Sequence, residues 1–241
     1  MQLRGAVALV TGANRGLGRA LAQALVGRGA RVYGGARDPA SIADPGVLPV
    51  KLDVTQVADA AAAAAACADV NLLVNNAGFA AFTPLLEAPS QEQARREMET
   101  NYFGMLTLCR AFAPVLARNG GGAILNILSV VSWFNAPMQG SYSASKAAAL
   151  SLTDGIRHEL RAQGTRVIAV HAGYIDTDMA AGIPGDKSSP SAIAAAALEG
   201  VEAGADEVLA DKRAHDVRAA LMRDPHGMNG AMQKLWEMRR R

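Results

Sequence analysis

Short apolar runs alternate along the chain with longer segments that carry apolar residues at helical spacing. Strand-length runs occupy residues 6–10, 31–35, 47–52, 71–75, 122–129, 166–171 and 207–210. Helical segments occupy residues 17–28, 55–68, 91–118, 141–163 and 191–203, and further helices follow. The first run is apolar without interruption, which is typical of a strand covered on both faces. This alternation predicts an α/β fold with a parallel sheet and right-handed crossovers.

No linker or change in composition divides this pattern, so a single domain is expected. Thr55 is the predicted N-cap of the second helix. A segment rich in Gly, Pro and Ser at residues 173–190 predicts a loop before the helix at 191–203. The alanine tract in the second helix is the one low-complexity segment, and it favours helix strongly.

Composition narrows the class of protein. The chain has 241 residues, of which 50% are hydrophobic and 19% charged, with a formal net charge of +2. These values are typical of an ordinary soluble globular domain and favour neither nucleic acid nor a membrane as partner. Arg239, Arg240 and Arg241 are interpreted as a solvated tail. Cys67 and Cys109 are expected to be reduced, so a cytoplasmic location is predicted, and the four histidines lack metal-ligand spacing.

A glycine-rich turn, TGANRGLG at residues 11–18, joins the first strand to the first helix. Gly12 allows a tight turn, while Gly16 and Gly18 let the backbone approach a pyrophosphate at the positive end of the helix. Three glycines can also simply punctuate a loop. Their place between a strand and a helix favours nucleotide binding.

Charges near this turn indicate which dinucleotide is bound. A 2′-phosphate needs cationic partners, whereas an unmodified ribose favours a carboxylate. Arg15 lies in the turn and Arg37 follows the second strand, so both can bind a 2′-phosphate. Asp38 lies where a ribose-binding acid is expected, although an Arg37–Asp38 surface pair is the alternative. The pattern favours NADP(H) over NAD(H).

Further motifs appear in a characteristic order. After TGANRGLG come Asp53-Val54, NNAG at 75–78, Asn101, Ser129, YSASK at 142–146 and HAGYIDT at 171–177. Together they resemble the short-chain dehydrogenase/reductase family over nearly the whole chain. The resemblance implies a Rossmann-type, doubly wound parallel sheet, with a cofactor half at about 1–125 and a catalytic and substrate-binding half at about 126–241. It also implies a homodimer or homotetramer formed through the helices at 91–118 and 141–163.

The resemblance and the charge pattern also imply a set of cofactor contacts. They are Gly12, Asn14, Arg15, Gly16, Leu17, Gly18, Arg37, Asp53, Val54, Asn75, Ala77, Gly78, Tyr142, Lys146, Gly173, Ile175 and Thr177. By resemblance, Asp53 meets the adenine amino group and Asn101 holds a water in a proton relay. One departure is Ala172, where the family usually has proline, which frees the backbone of the nicotinamide-side loop.

Tyr142 and Lys146 carry the proposed chemistry. Residues four apart share a helix face, and a nearby ammonium favours the phenolate, so Lys146 is expected to lower the pKa of Tyr142. Tyr142 is then the acid/base of carbonyl reduction, and Ser129 polarises the substrate oxygen. Ser132 is a rival for that role, and a surface pair without consequence is the alternative for Tyr142 and Lys146.

Two other functions remain open on this fold. One is an NAD(P)-binding sensor without turnover, and the other is a related lyase or dehalogenase that has discarded the dinucleotide. Retention of Ser129, Tyr142 and Lys146 favours an NADP-dependent carbonyl reductase or alcohol dehydrogenase over the first. The intact TGANRGLG and NNAG motifs argue against the second.

The substrate is expected to lie beyond the carboxyl ends of the strands, against three loops. Apolar and aromatic residues of these loops are the predicted substrate contacts: Phe79, Trp133, Phe134, Met138, Tyr174 and Met179. No arginine or lysine is expected to reach this region. The sequence therefore predicts an uncharged, fairly apolar aldehyde or ketone, with Trp133 or Phe134 forming one wall of the pocket.

Overall fold

Seven parallel strands form the centre of the molecule. A computed structural model describes residues 1–238, so the predicted arginine tail lies outside the described residues. The strands are β1 (Val7–Thr11), β2 (Arg31–Ala36), β3 (Val47–Lys51), β4 (Leu72–Asn75), β5 (Gly122–Ile127), β6 (Thr165–His171) and β7 (Glu207–Leu209). Their order in the sheet is β3-β2-β1-β4-β5-β6-β7. The order reverses beside β1, as in a doubly wound sheet.

Helices cover both faces of this sheet. They are α1 (Gly16–Gly27), α2 (Val57–Ala66), α3 (Glu92–Met98), α4 (Gly104–Arg118), α5 (Gly140–Leu160), α6 (Pro190–Ala203), α7 (Lys212–Arg223) and α8 (Gly227–Met238). Leu21 of α1 and Ile193 of α6 belong to the buried cluster on one face. Phe112 of α4 and Ile156 of α5 belong to the cluster on the other face. The predicted Rossmann-type fold is therefore confirmed.

The helix predicted at 91–118 is interrupted. A π-helical turn, Glu99–Phe103, separates α3 from α4. It places one extra residue in the turn that carries Asn101, and such insertions inside α-helices often mark functional sites. No helix within the described residues is both long and apolar enough to span a membrane.

The predicted N-cap of α2 is wrong. Gln56 occupies the N-cap position, and its side chain makes no capping bond. Thr55 instead donates from its backbone N–H and its hydroxyl to Oδ1 of Asp53, at 3.0 and 2.7 Å. Asp53 accepts both hydrogen bonds from a residue two positions later, as in an Asx turn, so Thr55 belongs to the turn after β3.

Two glycines near the start of β5, two positions apart, differ in how closely other backbone atoms approach them. Gly120 and Gly122 both have positive φ, at 80° and 123°. A Cβ on Gly122 would lie 2.0 Å from the carbonyl oxygen of Asn71, whereas a Cβ on Gly120 would meet nothing within 4 Å. Gly120→Ala should cost about 1 kcal/mol through backbone strain alone. Gly122→Ala should lower the free energy of unfolding severalfold more, because β4 and β5 must move apart.

Urea unfolding of the two alanine variants at one protein concentration measures this difference. Equal losses of unfolding free energy in both variants would show that the close approach of residue 122 to Asn71 is easily relieved.

Candidate active site

A cleft of about 1170 Å³ runs along the carboxyl edge of the sheet. It is lined by the turn after β1, the segments after β2 to β6, and parts of α7 and α8. Of the residues predicted to bind cofactor or substrate or to act in catalysis, four do not line it. They are Asn75, Asn101, Trp133 and Met138.

The glycine turn forms the floor at one end. A Cβ on Gly18 would lie 2.1 Å from the carbonyl oxygen of Gly12, so no larger residue fits there without moving the turn. Arg15 is the N-cap of α1 and makes no side-chain capping bond, and the first turn holds no acidic residue. The helix therefore presents backbone N–H groups and a positive dipole end to the cleft, which suits a pyrophosphate.

Arg15, Arg37 and Asp38 line the cleft together with the glycine turn. Arg15 forms an exposed ion pair with Asp178 at 3.4 Å, which contributes little at that exposure. Oδ1 of Asp38 accepts a hydrogen bond from Ala40 N at 3.0 Å and so caps the short turn Pro39–Ser41. Asp38 thus caps a turn, and Arg37 lines the cleft.

Asn75 lies beneath the cleft and not in its wall. Its Nδ2 donates to Oδ1 of Asn126 at 2.9 Å, and its side chain is buried. The next three residues, Asn76, Ala77 and Gly78, line the cleft. Thr11 Oγ1 accepts from the backbone N–H groups of Asn76 and Ala77, at 3.0 and 2.9 Å. The Asn75 side chain therefore joins β4 to β5 and does not line the cleft, and its role as a cofactor contact stays a prediction.

Ser129, Tyr142 and Lys146 come together at the other end of the cleft. Strand β5 ends at Ile127, and Ser129 caps the short turn Val130–Ser132 that follows. Tyr142 and Lys146 lie one turn apart in α5, with Lys146 Nζ 5.8 Å from the centroid of the Tyr142 ring. Lys146 Nζ donates to the Ile127 carbonyl oxygen at 2.8 Å, which anchors α5 to the end of β5.

Electrostatics at these residues differ from the prediction. Burial raises the pKa of Tyr142 above its ordinary value, a hydrogen bond with Ser129 opposes this, and Glu97 and Tyr174 add to the rise. Burial also lowers the pKa of Lys146 to about 8. The net direction at Tyr142 is therefore upward, because burial is the largest influence on its pKa, and the lowering effect expected of Lys146 stays a prediction.

Asn101 acts on the site from behind the cleft. Its Oδ1 accepts from Phe79 N at 2.9 Å, and its Nδ2 donates to Phe79 O at 2.8 Å and to Ser145 Oγ at 2.9 Å. Ser145 Oγ in turn donates to the carbonyl oxygen of Tyr142 at 2.7 Å. Asn101 thus ties the segment after NNAG to the helix that carries Tyr142. Its role in holding a water remains a prediction.

Sequence analysis overlooked Glu97, whose carboxylate is buried in α3. Oε1 accepts from Ala81 N at 2.8 Å, and Oε2 accepts from the hydroxyl of Ser141, beside Tyr142 in α5. The carboxylate therefore fixes the loop after β4 to the first turn of α5. No motif marks this residue, and only a charged residue on the buried face of a predicted helix could have indicated it.

His171 and Ser132 fix the backbone of Ser129. The carbonyl oxygen of Ser129 accepts from Ser132 Oγ and lies 3.2 Å from His171 Nδ1. Ser132, the rival of Ser129, does not line the cleft. His171 Nε2 lies 3.4 Å from Glu207 Oε1, which is within ion-pair distance, but the two atoms do not form a hydrogen bond.

Trp133 belongs to this network and does not form a pocket wall. Its ring stacks on the His171 ring with centroids 4.1 Å apart, and the guanidinium of Arg218 lies 5.1 Å from its centroid. Met138 has a left-handed backbone, with φ of 64°, and lies in a separate small cavity with Leu235. Neither side chain lines the cleft, since Trp133 stacks on the buried imidazole and Met138 lies in the adjoining cavity, and their roles as substrate contacts stay predictions.

The substrate end is otherwise aromatic, as expected, but it also contains cations. Phe79, Phe134, Tyr174 and Met179 line the cleft, together with Phe82 and, from α8, Met232 and Leu235. Arg96 of α3 and Arg213 of α7 line it as well. The expectation that no arginine reaches this region is wrong, because helices distant in sequence from the three predicted loops contribute to the wall.

Comparison with known proteins decides the family. Residues 6–188 match the family model described as short chain dehydrogenase. The chain belongs to this family of oxidoreductases.

Its short-chain dehydrogenase relatives include the 3-oxoacyl-[acyl-carrier-protein] reductase FabG of Vibrio cholerae, 35% identical over 189 residues, which are 74% of this chain and 77% of that protein. A short chain dehydrogenase from Burkholderia cenocepacia, solved in complex with NADP, is 46% identical with a TM-score of 0.93 and covers 96% and 99% of the two chains. A 3-ketoacyl-(acyl-carrier-protein) reductase from Brucella melitensis, complexed with NADH, is 29% identical with a TM-score of 0.78, over 85% and 96%.

The pH dependence of stability tests the environment of His171. Burial lowers the pKa of His171 from 6.5 to about 4. As the pH falls below 6.5, His171 becomes protonated in the unfolded chain but stays neutral in the folded protein, so stability is lost on acidification. Between pH 7.5 and 5 this effect should remove about 2 kcal/mol of the free energy of unfolding.

His171→Asn should be less stable at pH 7.5 but lose correspondingly less on acidification, as measured by urea unfolding at both values. His215→Asn, on the exposed surface of α7, is the matched control and should behave as the wild type does. The same acid sensitivity in His171→Asn as in the wild type would show that His171 is not held neutral.

Proposed function

We propose that this chain is an NADPH-dependent oxidoreductase that transfers a hydride between the nicotinamide and the carbon of a ketone, aldehyde or secondary alcohol. The observation that carries the proposal is that one cleft is lined at one end by the glycine turn and at the other by Ser129, Tyr142 and Lys146. The NADP complex of the Burkholderia cenocepacia relative supports the choice of cofactor.

The cleft has the groups that a dinucleotide requires. The uncapped start of α1 suits the pyrophosphate, and Arg15 and Arg37 suit a 2′-phosphate. Asp53 and Val54 line the cleft where the adenine is expected, while Ile175 and Thr177 line the nicotinamide side. Lys146, whose ammonium is already fixed on the Ile127 carbonyl, is placed to donate to ribose hydroxyls as well.

NADPH, when held in this cleft, would supply the hydride for the carbonyl carbon. Tyr142 then donates its phenolic proton to the carbonyl oxygen, so that a ketone becomes a secondary alcohol. The raised pKa of Tyr142 keeps it protonated at neutral pH, which suits a proton donor. Ser129 donates a hydrogen bond to the same oxygen and polarises the carbonyl before the transfer. Alcohol oxidation needs the phenolate, so that direction should be favoured at higher pH.

The substrate's reacting end should be apolar. Phe79, Phe82 and Phe134 lie beside Tyr142 in the cleft, and the Phe82 and Tyr142 ring centroids are 6.4 Å apart. We therefore keep the proposal of a fairly apolar carbonyl compound but not the requirement that it be uncharged. A homodimer or homotetramer, a cytoplasmic location and the division into two functional halves remain proposals of the family resemblance.

An NAD(P)-binding sensor without turnover is the alternative, and Tyr142 separates the two functions. Tyr142→Phe keeps the ring but removes the proton, so kcat with NADPH and a ketone should fall at least about 100-fold. NADPH affinity, followed by cofactor fluorescence, should not change. Tyr102 lies in the π-helical turn and does not line the cleft, so Tyr102→Phe is the matched control. Turnover by Tyr142→Phe close to that of the wild type would remove Tyr142 from the acid/base role.

Cofactor choice is tested at Arg37. Two charge-assisted contacts to the 2′-phosphate, each contributing about 1.5–3 kcal/mol, should make kcat/KM higher for NADPH than for NADH. Arg37→Asp should lower use of NADPH and raise use of NADH. Arg161→Asp, at an exposed arginine that does not line the cleft, controls for the change in net charge. Equal or better use of NADH by the wild type would assign Asp38 to the ribose instead.

A further inference from the structure

Arg213 enters the cleft from a part of the chain that the family match does not include. It lies in the first turn of α7, beyond the matched residues 6–188. Its guanidinium carbon lies 4.9 Å from the centroid of the Tyr174 ring. Its stem crosses Gly173 so closely that a Cβ there would lie 2.5 Å from Arg213 Cδ. Gly173 and Tyr174 thus hold the side chain in one direction, toward the cleft.

Arg213 forms no ion pair within the part of the chain that the structure describes. Its guanidinium forms no hydrogen bond or ion pair with any residue that the structure describes. The carboxylate of the nearby Asp211 accepts hydrogen bonds from three other residues. Its Oδ1 accepts from Ala214 N at 2.8 Å, and its Oδ2 accepts from Gly173 N at 2.9 Å and Ser188 Oγ at 3.1 Å. Arg213, which lines the cleft, therefore carries five N–H donors that have no acceptor among the residues that the structure describes.

Arg96, the second arginine in the wall, has different surroundings. It lies 3.8 Å above the Phe79 ring, and Glu92 and Glu99 of the same helical segment line the cleft beside it. Two carboxylates close to Arg96 make that part of the wall unsuitable for an anion. Arg213 is therefore the stronger candidate for recognition of negative charge at the substrate end.

A short path connects Arg213 to the reacting end. Tyr174, on which its guanidinium lies, accepts a hydrogen bond at its hydroxyl from Gln139 Nε2 at 2.5 Å. Gln139 is the N-cap residue of α5, three positions before Tyr142. The wall near this path is apolar and includes Phe134, Met232 and Leu235. A ligand that fills this region meets an acid/base group at one end, an apolar stretch, and a cation at the other end.

We propose that Arg213 binds an oxyanionic group, a carboxylate or a phosphate, on the carbonyl substrate, so that the preferred substrates are carbonyl compounds with an acid group beyond an apolar stretch. A guanidinium presents paired N–H groups that match two oxygens of either anion. This inference rests on the proposed oxidoreductase function. It narrows the substrate class and leaves the chemistry at Tyr142 unchanged.

Matched substrates test the proposal. A series of oxo acids of increasing chain length is compared with their methyl esters and with the corresponding oxoalkyl phosphates, with NADPH as cofactor. The wild type should prefer one of the acids over its ester about tenfold in kcat/KM, a modest value because Arg213 is exposed at the rim. Arg213→Gln should remove that preference and change the ester rate little. Lys212→Gln, next to it and paired with Asp216 at 2.5 Å, is the control and should keep the preference.

A binding experiment accompanies the kinetics. Saturated fatty carboxylates that lack a keto or aldehyde group should be competitive inhibitors of the wild type when a neutral ketone is the substrate. They should inhibit Arg213→Gln about tenfold more weakly. Their binding to the NADPH complex is also measured directly by calorimetry, which does not require turnover. Dependence on Arg213 for the oxo acids alone, or for the phosphates alone, identifies which anion is recognised.

Two outcomes would overturn the proposal. One is an acid-to-ester ratio that is the same in the wild type and in Arg213→Gln. The other is an equal loss of the acid-over-ester preference in Lys212→Gln, which would indicate that the positive charge of α7 as a whole, and not a contact with Arg213, causes the preference. If the folded wild type binds NADPH but reduces neither acids nor esters, the proposed function fails instead. Calorimetry with the carboxylates then still decides whether Arg213 binds an anion.

Discussion

Parallel pairing of the five central strands is the constraint on which the site depends. The register pairs Val10 of β1 with Val74 of β4, and Asn75 of β4 with Asn126 of β5. Each of these strands therefore ends at the same edge, and the segments that follow them meet there. The sheet reverses its order beside β1, which opens the crevice between neighbouring crossovers. For this reason the glycine turn, Ser129 and the loop after β6 line the same cleft.

Buried polar side chains hold that edge in place. Asn75 bonds Asn126, and Asn126 Nδ2 donates to Thr153 Oγ1 at 2.9 Å, so one chain of hydrogen bonds joins β4, β5 and α5. Asn101 and Glu97 join the segment after β4 to the start of α5 from the other side. Each of these groups would be costly if unpaired in the interior, so the network resists movement of Tyr142 relative to the cofactor segments.

Function is divided between two parts of the chain. In the proposed function, residues up to the loop after β6 hold the dinucleotide and supply the reacting groups, and most of this part lies within the family match. Helices α7 and α8 contribute Arg213, Met232 and Leu235 to the substrate end. Wall residues from a segment outside the shared core are free to vary without disturbing the chemistry, which is how one fold serves different substrates.

Local physics in the sequence determined the alternation of strands and helices, the glycine turn and the Tyr142–Lys146 pair, because apolar periodicity and residue spacing act over a few residues. Tertiary structure alone decided what depends on distant neighbours. Desolvation raises the pKa of Tyr142, Trp133 stacks on His171 outside the cleft, and Arg213 comes from α7, which begins at Lys212, 52 residues after α5 ends at Leu160. Such effects depend on which surfaces meet after folding, and no short stretch of the sequence encodes them.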